Sequence, residues 1–135
     1  MRFLVDQNAN REIPRVLSAL YDTHGFEHAY DLGWSELNDL TLFDTMRDEG
    51  FDALITRDKN QIADRTERQK LKDCGLHWIG YRSPKPPGIL GIALETATAL
   101  AGMPFVLAHD REHPTAFRLK GIQAEQGQRL TITPL

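Results

Sequence analysis

The chain has 135 residues, 41% hydrophobic and 26% charged, with a formal net charge of −3 and one cysteine. That length fits one domain with a core of its own, and the composition is that of an ordinary soluble protein. The lone Cys74 excludes an internal disulfide and a thiolate zinc cluster.

The N-terminus, Met1 to Asp6, holds too few apolar residues to read as a signal peptide. The longest apolar stretch, Ile89 to Met103, contains Glu95 and falls short of the ~20 residues of a membrane span. A cytoplasmic protein with no membrane partner is the expectation. Charge is uneven along the chain. Residues 1–50 hold four Arg and ten Asp or Glu, a net of −6; residues 51–135 hold twelve Lys or Arg and nine Asp or Glu, a net of +3. An acidic half that supplies metal ligands beside a basic half that attracts phosphates suits a metal-dependent nuclease, although many soluble domains carry such a difference by chance.

Arg2 to Val5 is short, apolar and rich in strand formers, so it predicts the first strand. Asp6 to Asn10 follows as a polar turn. Ile13, Val16, Leu17 and Leu20 fall at i, i+3, i+4 and i+7, one face of a helix that starts near Arg11, tolerates Pro14 in its first turn and stops by Gly25. Phe26 to Tyr30 alternates as a second strand ending near Gly33. Asn38 suits the N-cap of a helix that has Asp39 in its first turn, buries Leu40, Phe43 and Met46 with Leu42 beside them, and ends at Gly50. Phe51 to Thr56 predicts a third, buried strand. Gln61 to Asp73 is helical in propensity and carries Arg65, Arg68, Lys70 and Lys72, either a phosphate-facing helix or a solvated face.

Leu76 to Tyr81 predicts a fourth strand, Pro84 to Gly88 breaks the chain, and Ile89 to Ala101 is an amphipathic helix. Three strand-like pieces close the sequence: Phe105–Ala108, Ala116–Lys120 and Arg129–Thr133. They predict a strand at the sheet edge and a C-terminal hairpin. Alternating strands and helices predict a single α/β domain over 1–135, with a mainly parallel central sheet, helices on both faces (1–103), and a β-rich extension over 104–135.

Asp6 and Asp58 each follow a predicted strand, and Asp39 opens a predicted helix. Open parallel sheets place their sites outside the carboxyl ends of the strands. Magnesium takes oxygen ligands and keeps several of its waters, so Asp6, Asp39 and Asp58 qualify as ligands by type and position. The same positions also suit caps and turn residues. Asn8 and Asn60 could hold a ligand water or orient a carboxylate, and Thr56 could hydrogen-bond one of the aspartates. Arg57 and Lys59 flank Asp58, within reach of a substrate phosphate. His109-Asp110-Arg111-Glu112-His113 has two His four apart but runs into Pro114, so it reads as a loop rather than a zinc helix. His24, His28 and His77 are scattered, and Trp34, Trp78 and Tyr81 read as core more readily than as base-stacking residues. The Asp-x-Asp pair of a small-molecule phosphohydrolase is absent, since Asn8 stands two residues after Asp6.

In Arg2-Phe3-Leu4-Val5-Asp6-Gln7-Asn8, in Asn38-Asp39-Leu40-Thr41-Leu42 and in Leu54-Ile55-Thr56-Arg57-Asp58-Lys59-Asn60-Gln61, the sequence resembles the PIN-like domain family, nearest its short bacterial branch. The match covers roughly residues 1–82. The resemblance implies a three-layer Rossmann-like fold and a magnesium- or manganese-dependent ribonuclease, often the toxin of a VapC-type toxin–antitoxin pair. It implies Asp6, Asp39 and Asp58 as the acidic ligands, RNA as substrate, an antitoxin protein as partner and, commonly, a homodimer. Gln7 and Asn60 stand where the family has acidic residues, which removes charge a second ion would need. A PIN-like domain that binds RNA or a protein without cutting is the competing expectation.

Overall fold

Strand periodicity sets the architecture. In β1 (Arg2–Val5), Phe3 and Val5 face one side of the sheet and Leu4 the other; β3 (Ala53–Thr56) repeats this with Ala53 and Ile55 against Leu54. Both faces are apolar, as a sheet covered on both sides requires. The computed structural model describes residues 1–109 and 112–135; the loop expected at Asp110 and Arg111 lies outside the described residues. Five strands, completed by β2 (Gly25–His28), β4 (His77–Gly80) and β5 (Ala116–Arg118), form one sheet in the order β2-β1-β3-β4-β5, and every pairing is parallel. Register runs Val5 beside His28 and Ile55, and Ile55 beside Ile79.

Helices α1 (Glu12–Leu20) and α5 (Gly88–Ala108) cover one face, where Ile13, Leu17, Ala99 and Met103 meet Phe3, Val5, Ile55 and Ile79. Helices α2 (Asp39–Asp48) and α4 (Arg65–Asp73) cover the other, where Phe43, Met46 and Leu71 meet Leu4, Leu54 and Trp78. The result is a three-layer α/β fold. Its order places the topological switch between β1 and β3, and the crevice outside their carboxyl ends is where ligands of such sheets bind.

Four expectations are corrected. The helix expected over 61–73 is two helices: α3 (Asn60–Ala63) ends at Asp64, whose side chain caps α4 by accepting from the Thr66 and Glu67 amides. The strand expected at Phe105–Ala108 is instead the end of α5, which runs through Pro104. A proline inside a helix frees the carbonyl four residues before it. Here that carbonyl is Leu100 O, and the Tyr21 hydroxyl donates to it at 2.9 Å, so the helix continues. At 21 residues α5 is also long and apolar enough, by length and composition, to cross a membrane, contrary to the shorter stretch read from the sequence. Its inner side (Leu94, Thr98, Ala99, Met103) is buried on the sheet and α1.

The edge strand forms as β5. The C-terminal hairpin does not, so the region after 104 is not β-rich among the described residues. Beyond β5 there is only the short α6 (Gln126–Arg129), and Leu130 and Ile132 are exposed. Their alternation lacks the partner strand that would bury one side.

Candidate functional site

Asp6 emerges from β1, Asp39 opens α2, and Asp58 follows β3. Three stretches far apart in sequence thus end at one mouth of the sheet. All three carboxylates line one pocket of about 500 Å³, together with Gln7, Asn8, Gln61 and Glu67.

Asp6 is the deepest of them, 4% exposed. Thr56, itself fully buried, donates its hydroxyl to Asp6 Oδ2 at 2.7 Å, and Asn8 Nδ2 donates to the same oxygen at 2.8 Å. Asn8 Oδ1 in turn accepts from the Arg57 amide at 3.0 Å, which ties the β1 and β3 exits together. The Asp58 amide donates to Thr56 Oγ1, and Asp58 Oδ1 accepts from the Asn60 amide at 2.8 Å, a tight turn that fixes the carboxylate at the strand end.

Asp39 is held from a direction the sequence did not suggest. Gln61, 1% exposed, donates Nε2 to Asp39 Oδ1 at 2.8 Å, and its Oε1 accepts from the Trp78 indole at 3.2 Å. The first turn of α2 is set by Asn38, whose side chain accepts from the Thr41 amide. Glu67 was also missed. The break at Asp64 starts a new helix, and Glu67 in its first turn reaches the pocket wall. The signal was present as Asp64-x-x-Glu67, the spacing of a helix-start capping pair.

Carboxylates that line one pocket disfavour one another's ionised forms. Burial raises Asp6 above the ordinary carboxylate value, and Asp39 and Asp58 push it further, against hydrogen bonds from Thr56 and the Gln7 amide. Burial raises Glu67 too, with Asp39, Asp64 and Asp58 adding to the shift. Among the described residues, no group of three or more Asp, Glu, His or Cys stands close enough to enclose an ion directly. The pocket's donors are oxygens, which suits a hard cation that keeps part of its water shell.

The other predicted residues separate from the acids. Arg57, Lys59 and Asn60 line a neighbouring cleft of about 890 Å³, which meets the acidic pocket at Asp58. Asn60 contributes its amide rather than its side chain to Asp58. Arg57 turns inward: its Nε is buried without a hydrogen bond, 3.8 Å from Glu95 Oε1. The same Glu95 oxygen accepts from the Tyr81 hydroxyl at 2.8 Å and the Asn10 amide at 3.1 Å, so this buried carboxylate anchors α5 to the sheet exits. Trp78 and Tyr81 are buried, Trp34 packs edge-on to Phe51, and His28 is buried with its Nε2 against Ala9 O, all structural roles.

Fold and strand order make this a Rossmann-like α/β protein with carboxylates gathered at its switch point. The chain matches no family model, no curated protein and no solved structure.

Proposed function

We propose that the chain is a magnesium- or manganese-dependent endoribonuclease of the PIN-like kind, acting in the cytoplasm as the toxin of a VapC-type pair with a protein antitoxin. The observation that carries this reading is the convergence of Asp6, Asp39 and Asp58 on one pocket at the β1/β3 switch, where the resemblance expects its ligands. Asp6, Asp39 and Asp58 would hold the ion, with Glu67 beside them. Such an ion, when bound, polarises a phosphodiester oxygen and makes a water nucleophilic at neutral pH. The chain's own groups supply the setting. Thr56 and Asn8 orient Asp6, Gln61 orients Asp39, and the turn to the Asn60 amide orients Asp58. Each therefore keeps lone pairs free toward the pocket. A cation in the pocket would offset the negative charge that burial, and after it the neighbouring carboxylates, disfavours at Asp6 and Glu67.

A second reading has its own support. With no three acidic groups among the described residues enclosing an ion directly, and Asn60 in place of an acidic residue, the domain would bind RNA without cutting it. Incubating the protein with diverse RNAs and either metal decides between them. Cleavage that chelator abolishes, and that is lost in Asp6→Ala and Asp58→Ala, supports the nuclease. RNA binding that chelator leaves unchanged, with no turnover in either metal, supports the binding module.

A further inference from the structure

We propose that the cleft beside the acidic pocket is a phosphate rail for a single-stranded polynucleotide, built by Lys59, Arg82, Arg118 and Lys120. The proposal deepens the nuclease reading, on which it rests for the polymer being RNA.

The cleft runs along the carboxyl ends of three neighbouring strands. Lys59 follows β3, Arg82 follows β4, Arg118 ends β5, and Lys120 lies just beyond it. At ~4.8 Å per strand the row spans about 10 Å from β3 to β5. Its one lining carboxylate is Asp58, and that residue stands at the border with the acidic pocket. A fifth cation, Arg57, also lines the cleft, with its Nε 3.8 Å from Glu95. The four rail residues make no ion pair among the described residues, and Arg118 alone has a partner of another kind, the Trp78 ring 5.7 Å away.

Four uncompensated positive charges lining one concavity repel each other, and a polyanion relieves that repulsion. A neutral or apolar ligand does not. The volume of about 890 Å³ lies at the upper end of small-ligand sites, room for a few nucleotides of one strand rather than a double helix. The aromatic residues of the cleft, Trp78 and Tyr81, are 2% and 5% exposed, so no platform is offered to bases. Contacts are therefore to phosphates, which position a strand without reading its sequence. A strand laid from β5 toward β3 delivers its phosphate to Asp58 and the carboxylates behind it.

Fluorescence anisotropy with a labelled RNA of roughly 12 nucleotides, in chelator and across a salt series, tests the rail without requiring catalysis. Single-strand binding falls with salt at a log–log slope of about −0.7 per neutralised phosphate, so four contacts give about −2.8. Arg82→Ala/Arg118→Ala/Lys120→Ala should weaken binding at least tenfold and flatten the slope by about 2. Arg82→Glu/Lys120→Glu, at two exposed side chains outside both cores, should also weaken binding at least tenfold and flatten the slope by about 1.4, while keeping the wild-type circular dichroism and melting temperature. Unchanged affinity and slope in both variants overturn the rail; if metal-dependent cleavage persists there, the nuclease reading survives it. Salt-sensitive binding lost in both variants, with no cleavage by wild type in either metal, keeps the rail and removes the nuclease. Duplex RNA binding as tightly as the single strand, or displacement of RNA by poly-glutamate as readily as by unlabelled RNA, overturns the proposal in favour of another polyanion.

Discussion

Gln61→Leu is the most informative substitution in the acidic pocket. Gln61 is buried between two partners, donating to Asp39 and accepting from Trp78. Leucine fills similar space and makes neither bond. The Trp78 indole N–H, in a residue 2% exposed, is then left without an acceptor. An orphaned buried donor costs ~1–3 kcal/mol, and a hydrogen bond to a charged group is worth ~1.5–3. Asp39 is only half-buried and regains water, so the second loss is partly offset. The net expectation is ~1.5–3 kcal/mol. For a chain of this size, at about 4 °C per kcal/mol, the melting temperature drops by ~6–12 °C.

Urea denaturation followed by circular dichroism measures the loss. Gln61→Glu separates the two contacts, because its carboxylate still accepts from Trp78 but faces Asp39 with a like charge. Its deficit at pH 7 should shrink toward pH ~4, where the two carboxyls can share a proton. A Gln61→Leu variant within ~0.5 kcal/mol of wild type, the range of an inert surface change, together with a pH-independent Gln61→Glu deficit, refutes the role given to Gln61.

Three further outcomes are expected. Asp6 holds its proton to higher pH in the folded chain than in the unfolded one, so its contribution to stability is present below the unfolded value of about 3.9 and is lost as pH rises through the raised folded value. Asp6→Asn should therefore be more stable than wild type at pH 7, and urea titrations should show that margin closing near pH 3; an equal margin at both pH values contradicts the rise that burial and, after it, the neighbouring carboxylates give Asp6. Manganese at a hundredfold excess over its dissociation constant should stabilise wild type by ~2.7 kcal/mol, and Glu67→Gln should reduce that gain in a thermal-shift titration, whereas an unchanged titration removes Glu67 from the site. In Gly80→Ala the new Cβ would sit 1.8 Å from the Trp78 ring. The ring must move, at ~1–3 kcal/mol for overpacking, and chemical-shift changes at Gln61 and Asp39 should accompany the lower stability.

Much of this was legible in the sequence, for identifiable reasons. β1, α2 and β3 are short elements whose burial pattern and caps lie within a few residues, and Asp6, Asp39 and Asp58 were located by those elements alone. What could not be read depends on contacts between distant residues. α5 runs through Pro104, and the Leu100 carbonyl that the proline frees is taken up by Tyr21, just past the end of α1. Gln61 reads as an ordinary polar residue until Trp78 and Asp39 are brought to either side of it. The neighbours of Arg57 in sequence do not show that α5 brings Glu95 to 3.8 Å from its Nε. The missing hairpin is the reverse case, a local alternation at Leu130 and Ile132 that no other strand meets.

The parallel pairing of β5 has a consequence for how the molecule comes into being. A parallel neighbour cannot be reached by a tight turn, so the chain must first run the length of α5 before β5 can dock on β4. Synthesis proceeds from the N-terminus, and the acidic residues, spread over positions 6 to 67, leave the ribosome well before Arg118 and Lys120. A growing chain thus holds its carboxylates while two of the four rail cations have yet to be made. On the proposed reading, a chain still attached to the ribosome, surrounded by RNA, grips that RNA poorly until its last strand is in place.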